Sequence, residues 1–98
     1  MEFRVSVLLS LQRALWDLVG PNLRGVAATF DYPVVTARFL FENDPTEEDL
    51  EDVSLAETHT IADFPEDVSV DFAPVWAPSS ESRDLLPGEG WVYLRKEP

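Results

Sequence analysis

Residues 23–41, LRGVAATFDYPVVTARFLF, hold two runs of alternating side chains with almost nothing between them. Val26, Ala28 and Phe30 share one face of the first run, and Arg24 has the same parity. In the second, Val35, Ala37, Phe39 and Phe41 alternate against Val34, Thr36, Arg38 and Leu40. A period of two is that of a strand with one buried face. The connection at Asp31-Tyr32-Pro33 is too short for a parallel crossover, so the pair reads as an antiparallel hairpin.

Upstream, Val5 to Val19 places Leu8, Leu11, Leu15 and Leu18 at helical spacing, and Gly20-Pro21 is expected to stop that helix. Downstream, residues 44–64, DPTEEDLEDVSLAETHTIADF, read as a second helix. Asp44 is expected as its N-cap, with Pro45 at the first helical position and Glu47 closing a capping box. Leu50, Val53, Ile61 and Phe64 form its expected buried face, edged by Thr46 and Thr60. Glu57 falls in the middle of that face. A carboxylate there needs Arg24, Arg38 or backbone donors as partners, or else must reach water.

Val68, Val70 and Phe72 alternate as a third strand, and Pro74 and Pro78 suggest an edge position or an early end. Residues 78–90, PSSESRDLLPGEG, read as a mobile loop, and Trp91 to Arg95 as the last strand. The expectation is one α+β domain over residues 1–98. Its two helices pack on one face of a mainly antiparallel four-stranded sheet, in the order α-β-β-α-β-β.

The composition supports a folded chain. Of 98 residues, 45% are apolar, with three tryptophans and six phenylalanines, too many large side chains for a disordered acidic tail. There is no cysteine, hence neither a disulfide nor a thiolate metal site. The first twenty residues, broken by Arg4, Arg13 and Asp17, read as mature protein and not as a leader or a membrane span.

The net charge is −12, from 19 acids against seven bases. Between Arg38 and Arg83 there are 13 acids and no lysine or arginine. Phosphate backbones and anionic membranes repel such a surface, so neither nucleic acid nor membrane is an expected partner. The eight carboxylates of residues 44–64 are more than a helix dipole uses, because that effect fades within about one turn.

No catalytic motif accompanies the charge. His59, the single histidine, has no nucleophile in a recognisable context. The acidic run lacks the glycine and the alternating ligands of a calcium loop, and the four glycines are scattered. The reading is of a protein without enzymatic activity, metal or other cofactor. A second apolar stripe on the first helix, Val5, Leu9 and Trp16, needs cover, either from Leu85 and Leu86 of the loop or from a second copy in a homodimer.

The segments PNLRGVAATFD, ARFLFENDPTEEDLEDVSLAETHTIADFP and GWVYLRKEP resemble small bacterial immunity proteins of the contact-dependent growth inhibition type, encoded beside polymorphic toxins. That resemblance implies a cytoplasmic antitoxin that binds one cognate toxin domain, often a nuclease, and blocks it without modifying it. A cationic nuclease is a natural target for a carboxylate face set against the lysines and arginines meant for phosphate. The expected contact residues, chosen on charge and exposure, are Glu47, Glu48, Glu51, Asp52 and Asp63, joined by Glu66 and Asp67. The alternative is a self-associating adaptor that uses Val5, Leu9 and Trp16.

Overall fold

The computed structural model describes residues 2–97. In chain order it has helix α1 (Phe3–Ala14), strands β1 (Leu23–Asp31) and β2 (Val34–Phe41), helix α2 (Glu47–Ala62), and strands β3 (Ser69–Trp76) and β4 (Glu89–Leu94). This is the expected α-β-β-α-β-β order. The hairpin forms as read, running from Asp31 opposite Val34 to Leu23 opposite Phe41. It turns at Tyr32-Pro33, whose peptide bond is cis.

The sheet order is β3-β2-β1-β4. β4 joins β1 antiparallel, but β3 lies parallel to β2, so the sheet is mixed, with two antiparallel pairings of three. The parallel pair follows from α2, which carries the chain back along the sheet so that β3 restarts in the direction of β2. Pro74 fits because β3 is an edge strand. Ser69 and Ala77 donate their N–H groups inward to Pro33 and Phe41, so the even-numbered residues point theirs outward, and the missing N–H of Pro74 is not needed.

Both helices cover one face. Val26, Ala28, Val35, Ala37, Phe39 and Phe41 meet Val7 and Leu11 of α1 and Val53 and Ala56 of α2 in a single core. α1 starts without a side-chain cap. Burial of Val7 and Leu11, about 1.5–3 kcal/mol each, holds it instead.

Three local readings need correction. α1 ends at Ala14, before Gly20; Leu15 caps it, and Asp17 takes a left-handed φ of 66° that its short polar side chain tolerates. The box that opens α2 is set two residues later than Asp44 and Glu47: Thr46 is the N-cap and Asp49 its reciprocal partner. The buried face of α2 is Val53, Ala56 and Thr60, while Leu50 and Ile61 are exposed. Ala56, fully buried, lets α2 settle on a small side chain, and the larger Leu50 and Ile61 rotate out to the flank.

The second face of the sheet carries the connection from β3 to β4. Arg38, whose parity puts it opposite the core, donates to the Asp84 carbonyl at 3.1 Å and to the Glu89 carboxylate at 2.7 Å. Leu86 N–H in turn donates to Glu89. Leu85 and Leu86 therefore sit across the sheet from α1, remain exposed, and do not cover its outer stripe.

Candidate functional site

α2 is the element that gathers the carboxylates. The Thr46 hydroxyl accepts the Asp49 N–H at 3.1 Å, and the Asp49 carboxylate accepts the Thr46 N–H at 3.0 Å. The Asn22 amide adds a bond to Asp49 at 2.9 Å. Partial burial pushes the Asp49 carboxyl up, but its bonds from Thr46 and Asn22 outweigh this and hold it below the ordinary range. Asp49 is thus committed to the fold, and a helix-starting interaction of this kind is worth about 1 kcal/mol.

Its neighbours are not committed in this way. Glu47, Glu48 and Glu51 are exposed and Asp52 is half-buried. None of the six ion pairs among the described residues involves any of them. Partial desolvation, followed by the charges of Glu48, Asp49 and Glu51, raises the Asp52 carboxyl. Glu48, Asp49 and Asp52 also line a shallow groove with Gly20, Pro21, Asn22 and Asn43.

The remaining acids of the expected set lie at the other end of α2. A helix of 16 residues is about 24 Å long, so the two groups are separate patches. Asp63 accepts the Ser10 hydroxyl at 2.7 Å and pairs with Arg13 at 2.9 Å, tying α2 to α1. Those bonds, Ser10 first and then Arg13, lower its carboxyl. Asp67 accepts the Tyr32 hydroxyl, which raises that phenol, and Glu66 is exposed.

Five of the seven basic side chains are engaged elsewhere. Arg24 is almost fully buried and gives every donor group a partner: Ala77, Pro78 and Glu81 carbonyls and the Glu97 carboxylate. Arg83 and Arg95 also reach Glu97, and Arg95 reaches Glu42 at 2.6 Å. With Arg13–Asp63 and Arg38–Glu89, five arginines are paired. The first half of α2 is thus the stretch that gathers the most carboxylates outside the ion pairs of the described residues.

Glu57 resolves into a structural role. Its carboxylate accepts the Phe72 N–H at 2.8 Å, closing an outward donor on the edge of β3, while Arg24 and Arg38 are engaged elsewhere. Of the apolar stripe, Val5 and Leu9 are exposed on α1. Trp16, at 72% exposure, lies in the turn beyond the helix and does not continue its face.

These environments give a pH dependence. Arg24, then Arg95 and Arg83, lower the Glu97 carboxyl from 4.5 to about 2, and Arg38 lowers that of Glu89. Folded values below unfolded ones contribute stability that is present above about pH 5 and lost as pH falls through the folded values. Asp52, raised, works in the opposite sense and is relieved on protonation. The thermal midpoint is expected to hold from pH 7 to about 5 and then to fall steeply toward pH 2, with protonation of Asp52 offsetting a small part of the loss. A midpoint that declines steadily from pH 7 contradicts this balance.

No helix among the described residues is long and apolar enough to cross a membrane, and no group of three or more His, Cys, Asp or Glu among them is placed to hold a metal ion. No curated protein matches the chain. The family model described as MafI2 immunity protein matches residues 4–97, which is nearly the whole sequence, and the chain belongs to that family of immunity proteins.

Proposed function

We propose that this immunity protein neutralises its cognate toxin by direct binding, without catalysis, and that the first half of α2 is the contact surface. On this reading the toxin domain is cationic, its positive surface exists to hold nucleic acid, and it acts as a nuclease in the cytoplasm. The contact-dependent growth inhibition setting belongs to the same proposal. The observation that carries the reading is the segregation of charge: five arginines are spent on internal pairs, while Glu47, Glu48, Glu51 and Asp52 have no ion-pair partner among the described residues.

A face of one sign attracts a partner of the other and raises its encounter rate by roughly 10- to 1,000-fold at low salt. For an inhibitor of a toxin, capture speed matters as much as affinity. The test is to purify the toxin domain encoded by the neighbouring gene and to measure its association with this chain as salt is raised. Tight binding that slows steeply with salt, together with loss of toxin activity in the complex, is the expected result. Absence of binding, or binding indifferent to salt, refutes the reading.

Self-association through Val5, Leu9 and Trp16 is a second reading, favoured by their exposure. Sedimentation over a range of concentrations decides it, since a monomer at all concentrations removes it.

A further inference from the structure

Along the seam between α2 and β3, Leu50, Ile61 and Trp76 are exposed apolar side chains in a charged neighbourhood. Leu50, Ser54, Glu57 and Ile61 form the stripe of α2 that faces this seam, and the Glu57–Phe72 bond fixes its alignment with β3. α2 and β3 run in opposite directions. Four residues onward from Phe72 along the strand is about 13 Å, and seven residues back from Glu57 along the helix is about 10 Å. Trp76 is therefore brought level with Leu50. The two are 57% and 45% exposed, and exposed Pro74 precedes Trp76 on the strand.

Trp76 is held in place. Its indole N–H donates to the Glu42 carbonyl at 3.2 Å, which satisfies its one polar group and leaves the ring open to solvent. Exposed Glu47 and Glu51 flank Leu50, one turn before it and one residue after it. The edge of β3 itself is closed to an added strand at its centre, because Glu57 occupies the Phe72 N–H and Pro74 has none. A partner at this seam must dock by side chains.

We propose that the seam centred on Trp76 and Leu50 is the anchoring part of the toxin-binding surface, and that it receives a lysine or arginine of the toxin across the Trp76 ring. This rests on the toxin-binding reading. Charge complementarity selects the occupant: an apolar anchor rimmed by carboxylates favours a basic protein surface, and a cation over an indole face gains further attraction. The acidic groups speed encounter, whereas the desolvated aromatic anchor governs how long the complex lasts.

The test is titration of the purified cognate toxin domain with Trp76→Ala, Leu50→Gln and, as a control, Trp16→Ala. Trp76→Ala is expected to weaken binding about 30-fold or more through faster dissociation, Leu50→Gln about 5-fold, and Trp16→Ala less than 2-fold. All three side chains are exposed, and unchanged unfolding midpoints confirm that the fold is kept. Leu50→Gln, on a helix surface, serves if Trp76→Ala is destabilised. A folded Trp76→Ala or Leu50→Gln chain that binds as tightly as the unaltered protein overturns the proposal and leaves the function standing. Failure of the unaltered chain to bind its toxin overturns both.

Discussion

Replacing Arg24 by alanine is expected to lower the thermal unfolding midpoint by on the order of 15 °C. The side chain is 2% exposed and joins three carbonyls, from Ala77, Pro78 and Glu81, to the Glu97 carboxylate. It thereby pins the start of the β3–β4 connection and the chain after β4 to the start of β1. Removing it leaves the carbonyls short of donors and weakens the pairing of Glu97, which retains Arg83 and Arg95. Breaking a buried pair from one side costs about 3–5 kcal/mol. We take the lower figure because Glu97 is 17% exposed and keeps two partners. For a domain of this size about 1 kcal/mol corresponds to 4–8 °C, and total stability is about 5–15 kcal/mol, so the variant still folds at low temperature. Arg24→Lys is expected to recover little, since an ammonium offers three donors from a point and not a planar fork. A midpoint within 5 °C of the unaltered chain in Arg24→Ala would show that the hub is decorative.

That hub was only half legible in the sequence. Alternation over residues 23–41 gave the hairpin, and helical spacing gave two helices, because both periodicities follow from local geometry. Arg24 was placed by parity with Val26, but a bulge between Leu23 and Gly25 shifts the register there. With Leu23 in the core, Arg24 turns instead to residues 77–81 and Glu97. A bulge leaves no mark in a two-residue period until the partner strand is known. The parallel β2–β3 pair was within reach, since a strand, a 16-residue helix and another strand in succession is the pattern of a crossover.

The buried face of α2 departs from the expected one for a different reason. Size alone favours turning the large apolar residues inward, yet the space between α1 and β3 suits Val53, Ala56 and Thr60. The exposure of Leu50 follows from that fit, and so does the seam with Trp76, which no charge-based reading could supply. Charge patterning picks out Glu47, Glu48, Glu51 and Asp52, which the fold leaves exposed or half-buried and outside the ion pairs of the described residues. It also included Asp63 and Asp67, which the fold turns to internal bonds with Arg13, Ser10 and Tyr32. Sequence shows where a carboxylate is, and only tertiary structure shows whether it is already spent.

The distinction between spent and free carboxylates sets the second large effect. Glu48→Lys combined with Asp52→Lys is expected to slow association with the toxin domain about 10- to 100-fold at low salt, while dissociation changes little. The double substitution moves the local charge by four units at the first half of α2, where no arginine intervenes. It leaves the helix nearly as stable as before. The two introduced lysines repel each other at i,i+4 as the two acids do, so that contribution is unchanged, and the lysine near the positive helix end loses about 0.3–1 kcal/mol. The same four units introduced by Glu66→Lys and Asp67→Lys, at the far end of α2, provide the control. If encounter is steered by the free face, the first pair of substitutions slows binding far more than the second. The gap should then narrow as salt rises and the screening length drops from about 8 Å at physiological strength to about 3 Å at 1 M. Equal slowing by both pairs would mean that net charge alone drives capture, and that the first half of α2 has no special claim to the toxin.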